Sequence, residues 1–264
     1  MRDLRTLNVG GVFRSVGCAV LVAGLVTATV ACQSRRARRV PPQVLIGPYD
    51  TTSGEVLWGV VPLRNESGSS LVDTLQMSDQ LVSAVEQVRG LRAVPLNRTI
   101  EAMRSLGLRE VSSASDARQL ASEMGVDGLL VGSVTAWDPY DPPTVGLSLA
   151  LYARRGALGD DAAREVDPRQ LIFQPTDFGK YDASTSADRP ASVASQVLEG
   201  KNHQVLMDLD QYVAGRSDPT NVLGTHRYLA NMELFTEFAA WRLVGELVQQ
   251  EWMRLSRASI ETGP

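Results

Sequence analysis

The sequence predicts an α/β (α+β) fold: a mixed sheet of about four strands flanked by helices, with a long amphipathic C-terminal helix. Three observations carry this expectation. Val56 to Leu63 is a continuous apolar run, as in a strand covered on both faces. Val145, Leu147, Leu149 and Leu151 alternate with Gly146, Ser148, Ala150 and Tyr152, the period of a strand with one covered face. From about Tyr228 to Ser256, the residues Leu234, Phe238, Trp241, Val244, Val248, Trp252 and Leu255 recur at helical spacing.

The elements between these landmarks follow in order. Arg64 to Ser70 is a loop at the C-terminal end of the first strand, a favoured site position in α/β sheets. Its Asn65 and Ser67 are suited to cap the helix that follows. Leu71, Leu75, Val82 and Val85 fall on one helical stripe, with Ser78 in the missing turn and Leu81 and Val88 widening it. Gly90 ends that helix. Leu91 to Leu96 is a second strand. Thr99 to Leu106 is a short helix stopped by Gly107, and Ser115 caps a helix that runs through Met124 to Gly125. Asp127 to Trp137 is a third strand. Pro139, Pro142 and Pro143 cannot serve a ladder, so Asp138 to Pro143 forms the tip of an antiparallel hairpin with the alternating strand after it. Residues 155–189 are polar and turn-rich, with one apolar patch at Leu171-Ile172-Phe173. Pro190 suits a first helical position, and Val193, Val197, Val205, Leu209 and Tyr212 support helix to about residue 214, with an interruption at Gly200. The last helix carries Glu233, Glu237, Arg242, Glu246, Glu251 and Arg254, which forbid a membrane span.

The first 54 residues have a different character. Arg2, Arg5 and Arg14 precede a short apolar run from Cys18 to Ala31, the pattern of a secretory signal. That run is shorter than the roughly 20 residues a bilayer span needs. It ends in Thr29-Val30-Ala31-Cys32, which resembles the bacterial lipobox, with Thr29 where Leu is the usual residue. The expectation is cleavage before Cys32 and lipidation of its thiol; a plain cleaved signal is the other reading. Gln33 after Cys32 favours the outer membrane by resemblance to other lipoproteins. Arg35, Arg36, Arg38 and Arg39 then form either a contact with an anionic surface or a solvated spacer. The domain plan is thus signal peptide 1–31, basic and proline-containing tether 32–54, and one domain over 55–260. Within that domain, 55–154 is a βα core and 190–257 a helical part.

Composition narrows the chemistry. The chain has 264 residues, 26 Lys plus Arg against 30 Asp plus Glu, and only two Cys and two His. A net charge of −4 argues against a basic nucleic-acid-binding face. A Cys/His zinc site and a disulfide framework are nearly excluded, and lipidation of Cys32 leaves no thiol for catalysis. There is no G-x-S-x-G elbow. Gly200-Lys201 has Ser195 where a phosphate loop needs its leading glycine. His203 and His226 have no H-x-x-x-H partner. Neither a catalytic residue, a metal site nor a cofactor is expected. Asp138 and Asp141 beside Tyr140 are the one pair that a carboxylate-dependent envelope hydrolase would use, although Asp-Pro is ordinary turn chemistry. Trp137 and Tyr140 on the same tip are candidate partner-binding residues, Trp137 having a second reading as the closing residue of the core edge.

Val60-Val61-Pro62-Leu63-Arg64-Asn65-Glu66-Ser67-Gly68, Leu91 to Arg98, and Met124-Gly125-Val126-Asp127-Gly128-Leu129-Leu130-Val131-Gly132-Ser133-Val134 together have a familiar order. Over about residues 56–154 the chain resembles the CsgG/LpoB/TolB-N-terminal-like group of bacterial envelope lipoproteins. The resemblance implies a non-enzymatic binding, assembly or activator module for an envelope protein or peptidoglycan-associated complex. It would face the periplasm from the outer membrane, held to the lipid bilayer through Cys32 and possible as an oligomer. A curli-type secretion channel is the third expectation, weakened because only one strand alternates well enough for a barrel wall.

Overall fold

The computed structural model describes residues 41–52, 54–159, 189–217 and 223–261. In chain order the elements are β1 (Leu45–Ile46), β2 (Val56–Val60), β3 (Arg64–Asn65), α1 (Thr74–Glu86), β4 (Val88–Arg89), β5 (Leu91–Ala93), α2 (Leu96–Ser105) and α3 (Ala114–Met124). The hairpin strands β6 (Gly128–Asp138) and β7 (Thr144–Ala153) follow, then β8 (Ser192–Glu199), α4 (His203–Ala214), α5 (His226–Leu229) and α6 (Met232–Glu261).

One mixed sheet runs β5-β2-β6-β7-β8, with β3 also paired to β6. β5, β2 and β6 are parallel, whereas β6, β7 and β8 are antiparallel. β2 sits between two neighbours with Trp58, Gly59 and Val60 buried and Val56 and Leu57 half-buried, which is why it reads as an unbroken apolar run. The main core lies on the sheet face that α1 and α6 cover, and contains Trp58, Leu81, Leu130, Leu147, Leu149 and Phe238. A smaller core of Leu120, Val126 and Leu129 lies under α2 and α3 on the opposite face. Each such large apolar side chain contributes about 1.5–3 kcal/mol when fully buried. The α+β class and the long C-terminal helix stand as expected.

Several boundaries differ, for identifiable reasons. Pro190 to Gly200 does not open a helix: Ser192–Glu199 is strand β8, antiparallel to β7 from Leu151↔Ser192 to Thr144↔Glu199. Val193 and Val197 are four residues apart, a spacing that suits one face of a helix and equally one face of a strand. The buried face of β8 carries Ser192, Ala194 and Leu198, so small and polar residues hide its alternation. Helix therefore begins only at α4, where Asn202 accepts from the Gln204 N–H. Asn65 and Ser67 do not cap α1. Asn65 Oδ1 accepts from the Ser67 N–H and Nδ2 donates to Ser69 O, so they build the turn after β3. Asp73 is the cap, accepting from Gln76 N at 3.0 Å. With the helix starting at Thr74, Met77, Ser78, Leu81, Ala84 and Val85 form its buried face, and Leu71 and Leu75 stay exposed. Ser78 does fill the missing turn: its hydroxyl accepts from Leu63 N and donates to Thr74 O, tying α1 to the segment after β2. Ser113, not Ser115, caps α3 in a reciprocal capping box with Asp116. Gly125 ends α3 in the left-handed region at φ +68°.

The segment read as tether is docked well before residue 54. β1 pairs in parallel with β4, Leu45 packs against Gly245, and the Trp252 indole N–H donates to Ile46 O at 3.0 Å. The signal segment, Cys32, the arginine run and the Leu171-Ile172-Phe173 patch lie outside the described residues. Among the described residues, no helix is long and apolar enough to cross a membrane.

Candidate functional site

The β6–β7 hairpin projects the residues that the sequence singles out. Its ladder runs from Gly128↔Ala153 to Asp138↔Thr144 and slips once between Val134 and Ala136. This bulge depends on Gly146: a Cβ there would lie 2.6 Å from Thr135 Oγ1 and 2.8 Å from the Ala136 backbone nitrogen. The extra residue bends the strand and re-aims the tip, as bulges do.

Beyond the bulge, Asp138 accepts from the Tyr140 N–H at 3.1 Å, closing an Asx turn. Pro143 is buried, and its carbonyl accepts from Gly200 N at 2.8 Å. The tip is thus braced from inside by Asp138 and from below by the turn that joins β8 to α4. Tyr140 is left 75% exposed. An aromatic ring held out on a braced loop loses little conformational freedom on docking.

Trp137 sits differently. It is paired opposite Val145, is half-buried and packs on the main core. Its indole N–H is buried with no partner among the described residues. The ring therefore closes the edge of the core, and Tyr140 is the aromatic group offered to solvent.

The other polar candidates are distributed, not convergent. Asp138 and Asp141 are both exposed, and Asp138 is engaged by the turn. His203 and His226 are the first residues of α4 and α5 and are exposed. Gly200 and Lys201 form the turn between β8 and α4. Among the described residues, no three His, Cys, Asp or Glu side chains gather as a metal site would require.

A polar centre that the sequence reading did not single out lies at the opposite end of the hairpin. Glu251 of α6 is fully buried. It accepts from Tyr49 Oη at 2.8 Å, from the Ser192 hydroxyl, and from Arg254 Nε and Nη2 at 2.9 and 2.7 Å. Arg254 also donates to Leu158 O. Burial, then the Glu251 charge, push the Tyr49 hydroxyl well above its usual range, so it stays protonated and donates. Nearby, Asp127 accepts from Leu57 N at 3.0 Å and pairs with Arg154 at 2.8 Å. Glu251 accepts two protein donors on each oxygen, and Asp127 accepts one on each. Glu251 and Arg254 clamp the N-terminal segment, β8 and the segment after β7 to α6, and Asp127 ties β2 to Arg154 just after β7. The signal was present in the spacing, because Val244, Val248, Glu251 and Leu255 share one helical stripe.

No protein-family model and no curated protein matches the chain. Among solved structures, the LpoB C-terminal domain from Salmonella enterica aligns at 15% identity and TM-score 0.34, over 44% of this chain and 79% of that one. Lipoprotein GNA1162 from Neisseria meningitidis aligns at 22% identity and TM-score 0.31, over 39% and 74%. The hypothetical protein CT253 from Chlamydia trachomatis aligns at 10% identity and TM-score 0.33, over 77% and 97%.

Proposed function

We propose that this chain is an outer-membrane lipoprotein, anchored through Cys32 and facing the periplasm, that works by recognition. It serves an envelope complex as a binding, assembly or activator module, and the β6–β7 tip is the contact surface. The observation that carries the reading is the braced, three-quarters-exposed Tyr140, the one large aromatic side chain that the hairpin holds in solvent. The basic and apolar N-terminal segment ending in Cys32 supplies the address. Asp138 has its part in the turn, and Glu251 and Asp127 help hold the fold together.

Two measurements test this reading. Metabolic labelling with a fatty acid is expected to mark the wild-type chain and to fail with Cys32→Ala; equal labelling of both would remove the anchor. Quantitative co-purification from solubilised envelope tests the tip. Truncating a central aromatic contact costs about 2 kcal/mol or more, roughly a 30-fold loss of affinity. Tyr140→Ala is expected to show that loss with its thermal unfolding unchanged, since the ring has little contact to lose. Unaltered co-purification would assign the contact elsewhere.

A further inference from the structure

We infer that the groove between α1 and α2 is a docking site for an amphipathic helix of a partner protein, apolar on its buried face and basic along its rim. The groove lies away from the β6–β7 tip and does not depend on the function proposed for it.

The floor is the outer edge of the sheet. β5 ends the strand order, and Val94 N donates inward to Trp58 O of β2 at 2.8 Å. The Ala93 N–H therefore points outward, away from β2. It is already taken: Glu86 at the end of α1 reaches over and accepts it at 2.8 Å. An incoming strand would have to displace that carboxylate to continue the ladder. An occupant whose backbone is internally satisfied has no such cost, and a helix meets that requirement.

The walls define the face of the occupant. Leu75 and Val82 of α1 and Ile100 of α2 line a groove of about 620 Å³. Leu75 is 51% exposed, so apolar surface faces solvent here without a cover among the described residues. From Leu75 to Glu86 the wall is about 16 Å long, three turns of helix at 1.5 Å per residue.

The rim defines the charge. Asp79 and Glu86 are the charged residues of the lining, and both are acidic. Arg92 of β5 pairs with Glu55 at 2.7 Å and also lies within electrostatic reach of Glu86, whereas Asp79 stands on the exposed face of α1. A second copy of this chain docking through the same patch would set Asp79 and Glu86 against their own like charges. A helix carrying Lys or Arg beside its apolar stripe complements both features.

Two synthetic pre-stapled helical peptides with the same leucine face test the inference, one with a lysine rim and one with a glutamate rim. The readout is methyl NMR of Leu75, Val82 and Ile100 in the whole chain. The lysine peptide is expected to shift all three, and Asp79→Lys to weaken its binding at least tenfold. Leu75→Asp, at a half-exposed position, is expected to do the same; should it unfold, Asp79→Lys at an exposed site carries the test. The glutamate peptide is expected to leave the methyls unmoved. Equal binding of both peptides, or binding of neither, would overturn the proposal. So would a self-association in sedimentation that Leu75→Asp abolishes, which would make the occupant a second copy.

Discussion

Glu251→Ala lowers the stability of the domain by about 3–5 kcal/mol in denaturant unfolding, the range for breaking a buried charge pair from one side. The carboxylate is fully buried and collects donors from three separate parts of the chain: Tyr49, Ser192 and Arg254. Removing it leaves the Tyr49 and Ser192 hydroxyls without their acceptor and takes the counter-charge from a guanidinium that is largely out of solvent. Glu251→Gln keeps the volume and part of the hydrogen bonding, and so costs less. Tyr49→Phe removes one donor, about 1 kcal/mol. Combined with Glu251→Ala it adds little, because the two act on one interaction. Full additivity in this cycle would show that the N-terminal segment is not held by the junction.

Trp58→Ala is the second large effect, again about 3–5 kcal/mol, from lost transfer energy and the cavity left behind. Trp58 is wholly buried in β2, between β5 and β6, with the Tyr49 ring edge-on at 6.2 Å. Its indole N–H has no partner among the described residues. Trp58→Phe therefore deletes an unpaired polar group along with part of the ring, and recovers most of the stability that alanine loses. A phenylalanine variant as unstable as the alanine one would mean that the N–H is satisfied, for instance by water.

What could be read from the chain follows from which signals have one interpretation. The β2 run, the Val145–Leu151 alternation and the α6 stripe each fit one periodicity, and each element is present. β8 is not legible in the sequence because Val193 and Val197 stand at a separation that both periodicities share, and because its buried residues Ser192 and Ala194 carry no strong apolar signature. Leu71 and Leu75 continue the helical spacing and make α1 read as starting too early, whereas Asp73 caps the helix after Leu71. Leu75 is now part of the groove wall. At the hairpin tip, the prolines and the Asx residue located the turn, and Tyr140 was found as an exposed aromatic. The inward placement of Trp137 was open, since composition does not tell the last core residue of a strand from the first exposed one. The Glu251 junction depends on Tyr49 and Ser192, 202 and 59 residues away, and no local pattern links them.

The claim on which the functional account rests is that the β6–β7 tip touches another envelope component. A photo-crosslinking amino acid placed at Tyr140 in the full-length, membrane-bound protein tests it, with the same group at exposed Ser122 of α3 as the comparison. The account predicts one discrete adduct from position 140 that is absent from position 122. No adduct at 140, or the same set of bands from both positions, would contradict it.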